Sequence, residues 1–261
     1  MNKEIEARKN VAVKACKQVG GILISSFGRK VTVTSKGDRD LVTNIDKQVE
    51  KTIISLIKKH FPQDGIVSEE SPDAPTRSGF RWIIDPIDGT HNFIHNIEIF
   101  GTSVALEFKG EVLLGIINMP WSDELYIAQR GKGAYRNGRK ISVSKKKMEE
   151  ATMIYDSSIR MHKNKMLKGL GRLTDKVFNV RMFGSTVRSL TYVAEGKAEM
   201  EIEFCDKVWD FAAGLLLVEE AQGKATDFSG RPWNIHTRGY IASNGIVHQG
   251  VLDVIKSLRP R

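Results

Sequence analysis

Two carboxylates held three residues apart at the end of an apolar run constrain this chain more than any other feature. The run is Trp82-Ile83-Ile84, and Asp85-Pro86-Ile87-Asp88-Gly89-Thr90 follows it. A short apolar run bounded by Pro and Gly reads as a buried strand, and the residues after it as a turn. Pro86 fixes the backbone between the acids, and Gly89 permits a tight turn or a close backbone approach. Where a buried strand leaves the core, its last side chains sit on the floor of a cleft. Two carboxylates so close repel each other unless a proton or a cation intervenes. Hard oxygen donors without a thiolate or imidazole between them suit Mg²⁺. In isolation the segment also reads as a type I turn with solvated acids.

Three further segments repeat the theme of an acid at the end of an element. Val67-Ser68-Glu69-Glu70 is an apolar strand ending in acids. Asp40-Leu41-Val42-Thr43-Asn44-Ile45-Asp46 ends in an acid at the start of a helix. Val208-Trp209-Asp210-Phe211-Ala212-Ala213-Gly214 does the same, with small residues that allow close packing. Each taken alone reads as a helix cap or a surface carboxylate.

The rest of the chain alternates between helical and strand patterns. Val11, Ala15, Val19 and Ile22 recur at helical spacing, and Gly28 fits the exit of that helix. After Asp46, Val49, Ile53, Leu56 and Ile57 share a helical face, and Pro62 lies beyond its end. Gly65 to Ser68, Phe80 to Ile84 and Leu125 to Ala128 read as strands, and Val104–Phe108 with Val112–Asn118 as a hairpin turned at Lys109-Gly110-Glu111. Asn137-Gly138 is a strong turn signal. Ala198, Met200, Ile202 and Phe204 alternate with Glu199, Glu201 and Glu203, which predicts a half-buried strand. Phe211 to Ala221 and Val251 to Leu258 read as helices, and Tyr240 to Ser243 as a late strand. The charged stretch Ser144 to Glu150 divides residues 1–145 from 146–261, the expected two subdomains. Mixed elements with adjacent hairpins favour a layered α+β fold over regular βαβ alternation.

Composition excludes several classes. The chain has 261 residues, 41% hydrophobic and 27% charged, enough for one large domain or two closely packed ones. No run of 18 apolar residues exists, so no spanning helix is expected. Lys14 and Lys17 interrupt the first apolar stretch, so no secretory signal is expected. The two cysteines, Cys16 and Cys205, suit a reducing cytoplasm and form no metal-thiolate framework. The formal charge of +9 attracts phosphorylated small molecules, anionic lipid or nucleic acid. Lys145-Lys146-Lys147 is its densest run and reads as a solvated connection. His91 and His95 lack the glutamate of a zinc hydrolase helix, Gly131-Lys132-Gly133 lacks the third glycine of a dinucleotide fingerprint, and there is no Walker A motif or nucleophile elbow.

Together and in this order, DLVTNID, SEES, WIIDPIDGTHNF and VWDFAAG make the chain resemble the inositol monophosphatase family of Mg²⁺-dependent, lithium-sensitive phosphatases. The resemblance implies a layered αβαβα sandwich with metals between its halves. It implies that Glu69, Asp85 and the carbonyl of Ile87 hold one Mg²⁺, that Asp85, Asp88 and Asp210 hold a second, and that a weaker third ion leans on Glu69. Asp46 and Thr90 would orient and deprotonate the attacking water, with Glu70 supporting the site from behind. The N–H groups of Gly89 and Thr90 would meet the phosphate at a helix N-terminus. Gly184 and Ser185 match the substrate-side loop, and Glu203 stands where sugar-ring hydroxyls are contacted. Arg188 reads either as a contact to a second phosphate or as a helix-surface residue, and Lys36 as part of a mobile lid. His91 stands where the family has Thr, the Glu69–Asp85 interval is short, and Val208 replaces the commoner Pro or Cys. The implied protein is a cytoplasmic homodimer acting on inositol monophosphates. Fructose 1,6-bisphosphate, histidinol phosphate, adenosine 3′,5′-bisphosphate and NADP are the alternative substrates, and binding of RNA or transcription machinery is the alternative of another class.

Overall fold

A computed structural model describes residues 1–37 and 40–258. The first half contains α1 (Asn2–Ser26), β1 (Val33–Gly37), β2 (Asp40–Thr43), α2 (Asn44–His60), β3 (Gly65–Ser68), β4 (Phe80–Asp88), α3 (Thr90–Ile94), β5 (Gly101–Phe108), β6 (Glu111–Met119), β7 (Glu124–Gln129), β8 (Gly133–Arg136) and β9 (Arg139–Lys140). The second contains β10 (Thr152–Tyr155), α4 (Lys163–Thr174), β11 (Asn179–Arg181), α5 (Thr186–Ala194), β12 (Met200–Glu203), α6 (Val208–Glu220), β13 (Lys224–Asp227), β14 (Tyr240–Ser243) and α7 (His248–Lys256).

Two sheets organise these elements. Strands β3 to β9 form a seven-stranded sheet in chain order, antiparallel except for the β3–β4 pair. The other sheet has five strands in the order β11-β10-β12-β14-β13. Strand alternation sorts side chains into layers. Trp82, Ile84, Val104, Leu106, Leu114 and Ile116 point to one face of the larger sheet and pack with α1 and α2 residues such as Ala15, Val19, Val49 and Ile53. Ile83, Ala105 and Ile117 point the other way, onto Leu190 of α5 and Phe211, Ala213 and Leu217 of α6. Beyond the smaller sheet, Met166 and Leu173 of α4 and Val251 and Ile255 of α7 cover Met153, Met200, Ile202 and Ile241. The result is the expected αβαβα sandwich, with α5 and α6 as its middle layer.

Two expectations about strands are corrected. The acids of the β4 motif do not lie in a turn beyond the strand. Asp85 still pairs with Ser103 and Asp88 with Gly101, with an irregularity between them. Pro86 offers no N–H to the ladder, and a bulge there lets the strand bend without ending. Strand β12 is not half-buried: Glu199 and Glu201 are as enclosed as Met200 and Ile202. It lies between β10 and β14, with helices on both faces. Alternation separates two faces but does not say that one is wet. Smaller differences concern ends: α2 begins at Asn44, so Asp46 lies in its first turn, and α6 begins at Val208.

Candidate active site

Capping chemistry fixes the first pair of candidate residues, Asp46 and Thr90. Thr43 caps α2, accepting from the N–H of Ile45 and of Asp46, while Asp46 Oδ2 accepts from Thr43 N at 2.8 Å and Thr43 Oγ1 at 2.5 Å. That reciprocal box leaves Asp46 Oδ1 facing Thr90 Oγ1 at 3.1 Å. Thr90 Oγ1 also lies 2.8 Å from the carbonyl of Ile87. One hydroxyl proton thus stands between two acceptors, leaving the oxygen's lone pairs free to accept. Gly89, just before α3, has φ +83, and a Cβ there would stand 2.8 Å from the carbonyl oxygen of Ile99. Glycine is required on both counts.

The remaining acids come from both sheets. A cavity of about 200 Å³ is lined by Glu69 after β3, Asp85, Ile87 and Asp88 of β4, Gly89, Thr90, the Gly184–Ser185 loop, Glu203 of β12 and Asp210 of α6. Asp46 and Glu70 are not among its lining residues. Asp46 reaches the cavity only through its hydrogen bond to Thr90, which lines it. Glu70 accepts from Lys36 Nζ at 2.7 Å, and the same ammonium reaches Glu69 at 2.6 Å.

Each predicted ligand has a distinct setting. Asp85 is 1% exposed and its Oδ1 has no hydrogen-bond partner among the described residues. Asp88 Oδ2 accepts from the N–H of Thr186 at 3.0 Å and of Val187 at 3.2 Å, and its Oδ1 accepts from Ser185 Oγ. It thereby ties β4 to the first turn of α5. Ser185 donates to Asp88 at this helix start while also lining the cavity. Asp210 Oδ2 accepts from Lys207 N at 2.9 Å. As these side chains stand, no three His, Cys, Asp or Glu among the described residues form a ready cation cage. Like charges without a cation separate and take other donors, and Lys36, Ser185 and the N-terminal amides supply them.

Burial and mutual repulsion raise the affinity of these acids for protons. Burial pushes Glu69 up to about 7 against the pull of Lys36, and Asp88 up to about 6 against its Ser185 and α5 hydrogen bonds. Asp85 is pushed well above the carboxylate range by burial and by the charges of Glu69, Asp88 and Asp210, and Asp210 by burial and Asp206. Asp46 is raised by burial as well, despite its threonine partners.

Several sequence expectations lie outside the cavity. Arg188 is 4% exposed, bonds Glu124 Oε2 at 2.7 Å and Ser122 Oγ at 2.8 Å, and does not line it. Its guanidinium joins α5 to the β6–β7 connection, so the second-phosphate reading is withdrawn. His91 is exposed and stacks on His95, ring centres 4.2 Å apart. Conversely, Glu201, Asp206 and Asp156 line the cavity and were not singled out. For Glu201 the signal was present, since a residue two places from Glu203 on a strand shares its face.

The model of the Inositol monophosphatase family matches residues 4–259. A fructose-1,6-bisphosphatase/inositol-1-monophosphatase from Thermotoga maritima is 35% identical over 253 residues, covering 96% of each chain. The Nus factor SuhB of Escherichia coli K12 is 34% identical over 249 residues, 93% of each. Among solved structures, the extragenic suppressor protein suhB from Bartonella henselae superposes with a TM-score of 0.93 at 34% identity, over 96% of this chain and 98% of that one. An IMPase/NADP phosphatase complexed with Mg²⁺ and phosphate gives a TM-score of 0.85 at 29% identity, over 96% and 95%.

Proposed function

The chain belongs to the inositol monophosphatase family, and from that membership we propose that it is a Mg²⁺-dependent phosphomonoesterase of small polyol phosphates, inositol monophosphates first among them. The observation that carries the reading is the buried, unpartnered Asp85 Oδ1 in a cavity of carboxylates beside the Thr90–Asp46 pair. A buried anionic oxygen without a donor is stabilised by a cation, and an all-oxygen donor set suits Mg²⁺. In this reading Glu69, Asp85, Ile87 O, Asp88 and Asp210 hold two ions, and a third leans on Glu69. Bound there, Mg²⁺ supplies charge neutralisation for the ester and the leaving alkoxide and makes hydroxide accessible near neutral pH.

The chain's own residues do the positioning. Thr90 Oγ1 gives its proton toward Asp46 Oδ1 and accepts a proton from the attacking water, which turns the water's lone pair toward phosphorus. The N–H groups of Gly89 and Thr90, at the start of α3, receive phosphate oxygens. Gly184 gives the substrate room beside them. Glu203 Oε2 has no hydrogen-bond partner among the described residues, and it accepts the hydroxyls of a polyol leaving group. The same reading makes the protein a cytoplasmic, lithium-inhibited homodimer. Phosphate release from inositol 1-phosphate tests it. Mg²⁺ supports turnover, a chelator abolishes it, and Asp210→Asn lowers kcat/KM on the order of 100-fold or more. Turnover indifferent to chelator rejects the metal assignment, and inertness toward inositol 1-phosphate with turnover of another ester rejects the substrate.

A further inference from the structure

The outer face of the α1–α2 layer carries exposed charge of almost a single sign. The two helices run antiparallel: Arg8 near the start of α1 bonds Asp64 beyond α2 at 2.8 Å, and Thr32 beyond α1 bonds Asn44 at the start of α2 at 2.8 Å. Their apolar sides, Ala15 and Val19, Val49 and Ile53, face the larger sheet. Away from it, Lys3, Lys14 and Lys17 stand exposed on α1, and Lys47, Lys51 and Lys59 on α2. Arg29 and Lys30 follow α1 and are exposed as well. None of these side chains forms an ion pair among the described residues. The acids do not offset them. Glu4 and Glu6 already pair with the Met1 amino group at 3.1 Å and with Lys9 at 2.7 Å, and from Ala7 to Gly37 the sequence has no Asp or Glu. Asp46 and Glu50 of α2 are buried and turned to Thr43 and to Ser68 and Ser71.

Such a face complements a surface of spread negative charge, and its composition selects among polyanions. All of these cations but Arg29 are lysines, point charges without the planar fork by which arginine recognises nucleic acid. Lys14, Lys17, Gly21 and Ile24 run along one side of α1 at helical spacing, and the stripe ends in an exposed isoleucine. Three residues on, Phe27 packs against Trp121 with ring centres 4.8 Å apart, and that indole is 44% exposed. Cations beside an aliphatic side chain and an indole suit the boundary of a lipid bilayer, where headgroup phosphates meet acyl chains. We propose that the α1–α2 face docks the protein on an anionic lipid surface, with its lysines against headgroup phosphates and Ile24 and Trp121 at the acyl boundary. No helix among the described residues is long and apolar enough to cross a membrane, so the docking is peripheral. It is independent of the chemistry in the cavity, none of whose lining residues belongs to α1 or α2.

Cosedimentation with vesicles tests it. At low salt the protein is expected to bind phosphatidylcholine vesicles that contain phosphatidylglycerol, not vesicles of phosphatidylcholine alone, and to leave them as salt screens the lysines. Lys14→Gln, Lys17→Gln and Lys51→Gln each lower the partition coefficient about fivefold, and the three together on the order of 100-fold. Ile24→Gln lowers it without changing the salt dependence. Tryptophan emission moves to shorter wavelength on the anionic vesicles, a shift that Trp121→Phe removes. The substituted lysines are exposed and line no part of the cavity, so circular dichroism and turnover without vesicles stay as they are in the parent protein. Failure to bind the anionic vesicles at low salt overturns the proposal, and so does binding that the triple variant retains. Preferential capture by homopolymeric RNA in competition with the vesicles also overturns it and assigns the face to nucleic acid.

Discussion

Glu50 holds the metal-side loop without lining the cavity. One turn along α2 from Asp46, it is buried, and its Oε2 accepts from Glu70 N at 2.9 Å and from the Ser68 hydroxyl, while Oε1 accepts from the Ser71 hydroxyl. The three donors surround Glu69, so a single helix positions both Asp46 and the loop that presents Glu69. Groups that orient a ligand in this way commonly set metal affinity by 10- to 100-fold, roughly. Glu50→Ala is therefore expected to raise the Mg²⁺ concentration for half-maximal activity by about tenfold, with a smaller change in kcat at saturating Mg²⁺. Equal loss at all Mg²⁺ concentrations would refute a positioning role. The motifs around Asp46, Glu69 and Asp85 stand out in the sequence because each is local, an acid set beside an apolar run. Glu50, whose partners lie 18 to 21 residues away, does not, since a helical glutamate among lysines reads as solvated.

Helix α6 links the two sheets, and two glycines govern how its layer and that of α1 behave under substitution. Gly115 of β6 faces α6 so closely that a Cβ would lie 2.7 Å from Ala213 O and 2.9 Å from Ala213 Cα. Backbone cannot rotate away as a side chain can, so Gly115→Ala must displace the helix that carries Asp210. A cost of about 1–3 kcal/mol is expected from such overpacking, with reduced Mg²⁺-dependent turnover. Gly21 of α1 is exposed, and a Cβ there meets nothing within 4 Å. The same substitution at Gly21 is expected to stabilise by about 0.5–1 kcal/mol, because alanine is the better helix former. Urea denaturation of both variants checks the opposite signs, and two changes of the same sign would contradict this account of α6 seating. Local patterns disclosed the helices around Val49–Ile57 and Phe211–Ala221 and the β5–β6 hairpin, where propensity, periodicity and turn chemistry agree. They left α4 and α5 unassigned and misread the environment of β12. Which face of a strand meets another layer depends on elements far along the chain, and that information is tertiary.

At the scale of the whole molecule, the sandwich joins two sheets across a layer where acidic side chains from both converge. Their raised proton affinities fix the sign of a linkage. Glu69 moves from 4.5 to about 7, Asp88 from 3.8 to about 6 and Asp206 from 3.8 to about 8, each chiefly through burial. Between the ordinary and the raised values the metal-free fold holds protons that the unfolded chain has released. Their contribution to metal-free stability is therefore fully present below the ordinary values and is lost as pH rises through the raised ones. A bound cation replaces those protons, so binding releases them and strengthens as pH rises across the same window. His248, lowered to about 4 by burial, and Glu124 and Asp227, lowered by their arginine partners despite burial, do not line the cavity and are expected to titrate alike with and without Mg²⁺. Their contributions cancel when melting temperatures in Mg²⁺ and in chelator are subtracted. The gain in Tm from saturating Mg²⁺ is expected to grow steadily from about pH 5 to about pH 8, reaching the equivalent of about 3 kcal/mol at a hundredfold excess over Kd. Asp85→Asn removes the carboxylate proposed above to hold both ions and is expected to flatten that rise. A gain that stays constant with pH, or shrinks as pH rises, would mean that the convergent acids of the two sheets do not share a cation.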